Sequence, residues 1–533
     1  MFWNRGRHNI SFGGDFKRQQ FNIISQTNPR GTFDFTGAAA GNDFAGFLLG
    51  VPDTSQIAFG NADKYLRASV WDGYVQDDLR VSPSLTMNVG LRWEYWTPPT
   101  ELYGRLVNLD VVPGFSAVAP VVANNPVGTL TGMKYPDSLI HPDKHEFQPR
   151  VAISWRPFPA SSMLVKASYG LYYNTSVYQT IAQQMDQQSP LSKSLSVQNS
   201  AADPLTLANG FNASPNVATT LFGIDPNFKI GYAQNWLASV QRDLPGALIV
   251  TATYNGIKGT RNVQEFYPNT YPNGAANPCP TCVAGFAYMT SNGNSSREAG
   301  QIQLRRRLHN GFTASAQYVY SKSIDDAALG GRGQGSLLVA QNWLNLAGER
   351  GLSSFDQRHQ LTLSGQYTSG MGIGGGTLMS GWRGALLKEW TVLTNITTGS
   401  GLPLTPVLPI AIPGTGYVGS YRPEYTGAPL YSGPPGLNLN PAAYATPPSG
   451  QWGNAGRDSI TGPYQFSLNA SLSRTFRLTD RLNLDLRVDA TNALNHVTFQ
   501  SWNTTVGSTQ FGLPNPNAAN AMRSLLTTLR VRF

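Results

Sequence analysis

Apolar and polar residues alternate with a period of two over much of the chain. In 481–492, leucine, valine and alanine occupy the even positions from 482 to 490, while arginine, asparagine and aspartate occupy the odd ones. Strict period two predicts a strand with one apolar and one polar face. We predict about sixteen strands, many near the length of about 9–11 residues that crosses a bilayer. The others lie at 8–26, 31–37, 53–60, 65–79, 85–93, 146–156, 162–173, 230–242, 247–258, 298–308, 311–321, 358–368, 388–399, 465–473 and 524–533.

Short and long links alternate between these strands. Soluble sandwiches also have two-faced strands, but long loops at every second junction are rare in compact soluble domains. Outer-membrane barrels have tight periplasmic turns and long outside loops. The sequence therefore predicts an all-β fold, a transmembrane antiparallel β-barrel with short periplasmic turns and long extracellular loops. The short links are 80–83, 157–161, 243–246, 309–310, 369–387 and 477–480, and the long links are 97–145, 174–229, 259–297, 322–357, 400–463 and 493–521.

A different pattern occupies 38–52. Asn42 or Asp43 could cap a short helix whose Phe44, Phe47 and Leu48 share one face. If each predicted strand crosses the membrane once and the long links are extracellular, this helix lies on the periplasmic side.

Composition narrows the class of protein. Only 13% of the 533 residues are charged, about half of the roughly 25% that is usual in soluble domains. No run approaches about 18 apolar residues, which excludes a helical membrane protein. The net charge of +9 fits contact with lipid phosphates and anionic glycolipid. The first eight residues contain no apolar signal-peptide region, so an outer-membrane protein of this sequence would be a carboxy-terminal piece of something longer.

Cys279 and Cys282 have the spacing of half a zinc site, but no second pair follows. A redox CxxC centre would need a βαβ context, which is not evident. A local disulfide in an external loop is therefore preferred.

Other candidate chemistry has a structural explanation. His141 and His145 have an i, i+4 spacing, yet Pro142 and the lack of helical period argue against a metal site. The arginines at 305–307 are interpreted as strand residues near the periplasmic rim rather than a nucleic-acid patch. The charges at 349–350 and 356–359 are predicted to face the lumen. We predict no enzyme, no cofactor and no nucleic-acid partner.

Aromatic residues concentrate near the loop-side ends of predicted strands. Amphipathic rings are most stable at the level of the lipid headgroups, so these residues are predicted to form an interfacial aromatic girdle. Its members are Trp93, Tyr95, Trp96, Tyr172, Tyr173, Tyr318 and Tyr320.

Several segments resemble the barrels of TonB-dependent receptors, most closely the Oar-like receptors of the acidobacterial type. The segments are GYVQDDLRVSPSLTMNVGLRWEY (73–95), PPTELYGRLVNLD (98–110), GYAQNWLASVQRDLPGALIVTATYNGIKGT (231–260), QIQLRRRLHNGFTASAQYVYSKSIDD (301–326), AGERGLSSFDQRHQLTLSGQY (347–367), GNAGRDSITGPYQFSLNASLSRTF (453–476), LNLDLRVDATNALNH (482–496) and LRVRF (529–533). Each is a strand-and-turn segment, so the resemblance concerns architecture and transport.

The resemblance implies that residues 1–533 are the barrel portion of such a receptor. A family barrel has about 22 strands, so the regulatory-like domain, the plug and the first strands would be absent. Leu529, Val531 and Phe533 resemble the carboxy-terminal signal that the barrel-assembly machinery reads.

The implied function is a Gram-negative outer-membrane receptor and transporter that binds a bulky solute through its extracellular loops and admits it through a gated lumen. Its partners would be outer-membrane lipid, lipopolysaccharide, the barrel-assembly machinery, an unknown solute and, only through the missing plug, the TonB system. A passive porin-like channel and a surface adhesion or organising protein are the alternatives.

Overall fold

The computed structural model describes residues 1–24, 28–60, 63–200, 204–211, 218–219, 222–271, 275–280, 282, 286–326, 339–371, 379–408, 421–479 and 481–533. Most of the regular structure in these ranges is β-strand. Among the described residues, no helix is both long and apolar enough to cross a membrane.

One large sheet contains fifteen strands that pair antiparallel in chain order. They are β1 (Phe2–Arg5), β2 (His8–Ile24), β3 (Asp63–Ser82), β4 (Leu85–Trp96), β5 (Phe147–Trp155), β6 (Leu164–Tyr173), β7 (Tyr232–Leu244), β8 (Leu248–Phe266), β9 (Ala287–His309), β10 (Phe312–Asp325), β11 (His359–Thr368), β12 (Thr391–Gly399), β13 (Gln465–Arg477), β14 (Asn483–Thr491) and β15 (Ser524–Arg532).

Four shorter strands complete this 19-stranded sheet at its loop end. Within the described ranges, no pairing joins β15 to β1 or β2. The shorter strands are Thr100–Glu101, Phe222–Ile224, Val339–Ala340 and Gly351–Leu352.

The pairing register gives the large sheet one apolar face and one polar face. Residues that pair directly point to the same face. Leu472 pairs with Val392 on one side and Val488 on the other, while its neighbour Ser473 pairs with Thr391 and Arg487. The same relation holds from strand to strand, and large apolar side chains of this face are exposed in β2 to β13 and in β15. The predicted period-two pattern is therefore confirmed across the sheet.

Tight turns join most strands at one end of the sheet, and the link 369–390, which contains the helix Gly381–Leu387, is a longer member of this set. Asn310 and Gly311, between β9 and β10, both have positive φ, 52° and 76°, as a two-residue type I′ hairpin requires. The short links are 6–7, 83–84, 156–163, 245–247, 310–311, 369–390 and 478–482.

Long links occupy the other end, as predicted, and the link 25–62 is a further long link that was not predicted. The long links are 25–62, 97–146, 174–231, 267–286, 326–358, 400–464 and 492–523.

Two predicted barrel strands do not belong to the large sheet. The segments 31–37 and 53–60 contain Thr32–Asp34 and Thr54–Gly60, which join Ser192–Gln198 and Ala218–Thr219 in a separate four-stranded sheet. Period two predicts a strand but not its partner, and here the partner lies inside the long link 174–231. Removing these two from the predicted sixteen leaves the fourteen long strands β2 to β15, to which the structure adds β1.

Helix α1 (Asp43–Leu49) begins as predicted, because the side chain of the cap residue Asn42 accepts a hydrogen bond from the Ala45 N–H at 3.1 Å. Its predicted location on the periplasmic side was wrong. The helix lies in the link 25–62, at the end of the large sheet that holds the long links, because the two strands beside it do not cross with the barrel strands. The other α-helices are α2 (Val177–Met185) and α3 (Gly381–Leu387).

The long links contain further local structure. Short antiparallel pairs join Val107–Val111 to Val118–Val122, Pro403–Leu404 to Ile460–Thr461, and Glu424–Tyr425 to Tyr444–Ala445. Among the described residues, the 3-10 helices are Pro113–Phe115, Trp343–Glu349, Pro441–Ala443 and Pro516–Ala518.

Candidate ligand-binding loops

The long links pack on a buried apolar cluster. The link 97–146, helix α2 and the segment 222–230 contribute most of it, and Leu66 of β3 extends it to the large sheet. Burying leucine, isoleucine and phenylalanine side chains stabilises each by about 1.5–3 kcal/mol relative to exposure. The loops therefore have a hydrophobic core of their own. Its fully buried members include Leu106, Leu139, Ile140, Ile181, Met185, Ile224, Phe228, Ile230 and Met289.

A buried carboxyl group lies beside this core. Glu146, 1% exposed, directly precedes β5. Burial, together with the negative charges of Asp143 and Glu94, raises the pKa of Glu146 to about 8. A carboxyl group with this pKa is protonated at neutral pH.

Asp143 has the opposite character. Burial alone would raise its pKa, but the backbone N–H of His145 donates to it at 3.1 Å and Lys229 Nζ lies 3.5 Å away, so the pKa of Asp143 falls below its usual value. His145 Nδ1 is 3.0 Å from the same carboxylate. His141 Nδ1 instead contacts the carbonyl oxygen of Pro226 at 3.0 Å. The two histidines therefore have different partners.

A buried ion network joins the links 326–358 and 400–464. Arg422 donates to both carboxylate oxygens of Glu349, at 2.7 and 2.9 Å. Arg457 donates to Asp458 at 2.8 Å, to the carbonyl oxygen of Glu349 at 3.0 Å, and to Asp325. Glu349 thus pairs with an arginine of another loop, and its position in the lumen stays a prediction.

The charged side chains at 356–359 also have partners nearby in the structure. Asp356 accepts a hydrogen bond from the Ser323 N–H at 2.6 Å and lies 3.6 Å from Arg358. His359 pairs with Tyr320 in the sheet, on its apolar face, and its Nδ1 lies 2.7 Å from the Tyr318 hydroxyl. His359 therefore faces away from the lumen, which corrects that prediction, whereas the lumen position of Asp356 stays a prediction.

Tyrosine rings line a cleft formed by the links 400–464 and 492–523. Two adjoining cavities of about 880 and 520 Å³ share Tyr431. Tyr425 and Tyr444 line the first cavity, while Tyr464 and Trp502 line the second. We call this the tyrosine cleft.

Cys279 and Cys282 are joined in the structure, and their Cα atoms are 5.2 Å apart. They lie in the link 267–286, at the loop end of the large sheet. The pairing in the cell stays a prediction.

The sequence matches a known family over almost its full length. A family model described as an outer membrane beta-barrel domain matches residues 1–525. The chain belongs to the outer membrane beta-barrel domain family. It is an outer-membrane protein, and the predicted fold class and location are confirmed. No curated protein matches the sequence significantly.

Solved outer-membrane structures match the chain over nearly its full length, and one of them shares its fold with a TM-score above 0.5. The outer membrane transporter YddB from Escherichia coli matches 100% of this chain and 52% of its own, with 12% identity and a TM-score of 0.53. The ferric enterobactin receptor from Pseudomonas aeruginosa matches 98% and 51%, with 11% identity and a TM-score of 0.49. The ferripyoverdine receptor of the same organism matches 99% and 46%, with 12% identity and a TM-score of 0.47. The chain thus spans about half the length of these structures.

The predicted aromatic girdle is divided between the two faces of the barrel sheet. Trp93, Tyr95, Tyr173, Tyr318 and Tyr320 lie on the apolar face, and their girdle role stays a prediction. The remaining two residues are on the other face.

The girdle prediction was wrong for Trp96 and Tyr172, which lie on the polar face of the sheet. Trp96 pairs with buried Val70 and packs against the apolar cluster under the loops. The Tyr172 ring lies 4.7 Å from the Arg150 guanidinium. Because successive strand residues point to opposite faces, adjacent aromatic residues such as Tyr95 and Trp96 cannot both face lipid.

The arginines at 305–307 lie in β9 close to its tight turn, as predicted. Arg306 is on the apolar face beside the Phe312 ring, at 5.2 Å, and Arg307 donates to Asp243 at 3.0 Å. Leu529 and Val531 lie in β15 and pair with Leu486 and Leu484 on the apolar face. The role of Leu529, Val531 and Phe533 in assembly stays a prediction.

Sequence reasoning missed the ion network and the tyrosine cleft. Both combine segments that lie far apart in the chain and have no regular spacing. The available signal was the tyrosine content of 421–464, with Tyr421, Tyr425, Tyr431, Tyr444 and Tyr464, but it does not indicate which rings share a cavity.

Proposed function

We propose that this outer-membrane barrel is the barrel part of a receptor and transporter, of the Oar-like TonB-dependent type, which binds a bulky solute through its extracellular loops and admits it through a gated lumen. The role is non-covalent, since selection depends on the shape and charge of the loops.

The observation that carries the proposal is the packing of the loops. Links at one end of the sheet form an apolar core, a buried ion network and an aromatic cleft. Loops that only connected strands would not need buried charges, whose desolvation is costly. A packed loop region presents a preorganised binding surface, as selective recognition requires.

The likeness to solved structures supports the same class. One of them is the outer membrane transporter YddB from Escherichia coli. We propose that the plug, the regulatory-like domain and the first barrel strands lie outside this chain, and that coupling to the TonB system runs through that plug.

Further proposed partners follow from the surface of the barrel. The apolar face would contact lipid, and the net positive charge of +9 would favour the phosphates of lipopolysaccharide. The barrel-assembly machinery would read the strand that ends in Phe533.

Proteoliposome swelling tests gating against passive flow. With the full-length gene product, we expect no swelling in sugars graded from monosaccharides to hexasaccharides, because a gated lumen is closed without energy. Swelling that declines with sugar size would instead indicate a passive channel and contradict the proposal.

Whole-cell accumulation tests receptor function. In the source bacterium, deletion of the gene should abolish energy-dependent accumulation of at least one probe among ferric siderophores, cobalamin and labelled oligosaccharides, and a protonophore should have the same effect. If accumulation of every probe is unchanged but attachment of cells is lost, an adhesion role replaces the proposal.

A further inference from the structure

The tyrosine cleft has the size of a small-molecule site. Its two cavities, of about 880 and 520 Å³, adjoin at Tyr431 and fall within the range of about 300–1,000 Å³ that is typical of ligand pockets. Both lie in links at the extracellular end of the barrel. A solute can therefore reach the cleft from outside the cell.

The hydroxyl groups of three cleft tyrosines make hydrogen bonds to neighbouring groups, which fix the orientation of the rings. The Thr461 N–H donates to the Tyr431 hydroxyl at 2.8 Å, and the Tyr464 hydroxyl lies 3.2 Å from His496 Nε2. The Tyr425 hydroxyl donates to the carbonyl oxygen of Ala428 at 3.2 Å. A ring that is held at its polar tip loses little conformational entropy when a ligand stacks on its face.

The rings are nevertheless open to solvent. Tyr425, Tyr431 and Tyr464 are 44%, 58% and 60% exposed, although an apolar cluster lies directly beneath the cleft. In that cluster the Tyr444 ring packs edge-on against Phe511, with 6.1 Å between the centroids. The cleft thus combines fixed, exposed rings with a packed base.

The charge of the lining restricts the class of ligand. Among the described residues that line the two cavities, none is Lys, Arg, Asp or Glu. The polar groups are amides and hydroxyls, such as those of Asn438, Asn454, Ser459 and Thr461, and the imidazole of His496. An ionic ligand would lose its hydration without gaining a charged partner. A neutral ligand with many hydroxyls and apolar C–H faces can use both the hydrogen-bonding groups and the rings.

We propose that the tyrosine cleft binds a neutral oligosaccharide. This inference rests on the proposed function, because it names the class of solute that the loops select. Sugar rings would stack on Tyr431 and Tyr464, while the amides and hydroxyls of the lining would bind sugar hydroxyls.

Calorimetric titration of the purified protein in detergent tests the inference. The probes are the neutral hexasaccharides of glucose (α- and β-linked), mannose and xylose, with hexagalacturonate and ferric enterobactin as charged comparisons. We expect at least one neutral hexasaccharide to bind and both charged probes to bind at least tenfold more weakly. The absence of binding by every neutral probe would overturn the inference, as would tighter binding of either charged one.

Substitutions locate the binding. Tyr431→Ala and Tyr464→Ala should each weaken binding about tenfold, because each removes one stacking ring, whereas Tyr431→Phe should retain most of the affinity. Tyr103→Ala is the matched control, since Tyr103 is 61% exposed in the link 97–146 and lies outside the cleft. Equal affinity in the wild type and both cleft variants would overturn the assignment.

Saturation-transfer NMR on the wild-type protein does not depend on how the variants fold. Irradiation of aromatic protons should transfer to the C–H protons of the bound hexasaccharide, and absence of transfer would contradict ring stacking. Swelling and accumulation report on transport independently of this binding. Sugar binding in the cleft of a freely conducting pore would leave the inference standing while the proposed gating fails.

Discussion

At the scale of single residues, two buried glutamates in the loops have opposite electrostatic surroundings. Glu349 accepts two hydrogen bonds from Arg422, so its charge is compensated. Glu146 is buried near the carboxylates of Asp143 and Glu94, which disfavour a further negative charge. The same side chain is therefore an ion in one loop contact and a neutral acid in the other.

Glu146 should make the link 97–146 sensitive to pH. Its pKa of about 8 in the folded protein is above the value of about 4.3 for an unperturbed glutamate. Between these values the folded state binds more protons than the unfolded state, so the free energy of unfolding falls by up to about 1.4 kcal/mol per pH unit as pH rises. Glu146→Gln should remove this decline.

Hydrogen exchange of the link 97–146, corrected for intrinsic rates, measures the effect. Wild-type protection should fall from pH 5 to pH 8 while that of the variant stays level. Glu424→Gln, a change at a half-buried glutamate in another loop, is the control and should behave as the wild type. A parallel decline in wild type and Glu146→Gln would refute the buried-acid explanation.

Arg422 should matter far more than a surface arginine. Arg422→Ala leaves the buried Glu349 carboxylate without its cation, which costs about 3–5 kcal/mol. The matched control is Arg477→Ala, since Arg477 is 76% exposed and lies 3.8 Å from Glu389; a surface pair of this kind contributes about 0–1 kcal/mol. Limited proteolysis of the link 400–464 should detect early cleavage in Arg422→Ala only. Equal cleavage in both variants would contradict the proposed importance of the network.

At the scale of elements, the strand register decides what each position can accept. Leu486 faces outward between Arg474 and Leu529, whereas Ser471 faces inward beside Asp489. An arginine on the lipid face near the bilayer midplane costs about 2–4 kcal/mol. Leu486→Arg should therefore reduce the folded fraction in the membrane, while Ser471→Arg should not. Heat-dependent gel mobility measures that fraction, and equal losses would argue against the assigned faces.

The last strand supports a prediction about assembly. Phe533→Ala should reduce insertion into the outer membrane strongly if the terminal residues form the assembly signal. Phe499→Ala, in the link 492–523, should insert normally. The measurement is the amount of each variant in purified outer membranes relative to total synthesis, and equal insertion of both would contradict the assembly role.

How much the sequence predicts differs between elements. Period two predicts β2 to β15 because each of these strands has one polar and one apolar face. It fails to separate Thr54–Gly60 from the barrel strands, since the partner Ser192–Gln198 lies more than a hundred residues away. Adjacent aromatic residues such as Tyr172 and Tyr173 are ambiguous for a related reason, because composition does not assign a face. The tyrosine cleft depends on loop folding, which no local pattern encodes.

At the scale of the whole molecule, the family match and the strand register both indicate a barrel with an apolar outer face and a polar inner face. The apolar residues of successive strands form a continuous outer surface, and the polar residues form the inner one. The long links lie together at the end of the sheet opposite the short links, where several of them pack on shared apolar clusters. Every proposal about solute binding depends on this arrangement.

Cysteine accessibility along β14 tests the arrangement most directly. In a background with Cys279→Ser and Cys282→Ser, single cysteines replace Leu486, Arg487, Val488 and Asp489 in turn, and a small membrane-permeant maleimide, which reaches the lumen even when the lumen is closed, is applied to outer-membrane vesicles. The account predicts rapid labelling at 487 and 489 and slow labelling at 486 and 488, because only thiols exposed to water form the reactive thiolate readily. Equal labelling at all four positions, or faster labelling at 486 and 488, would contradict it.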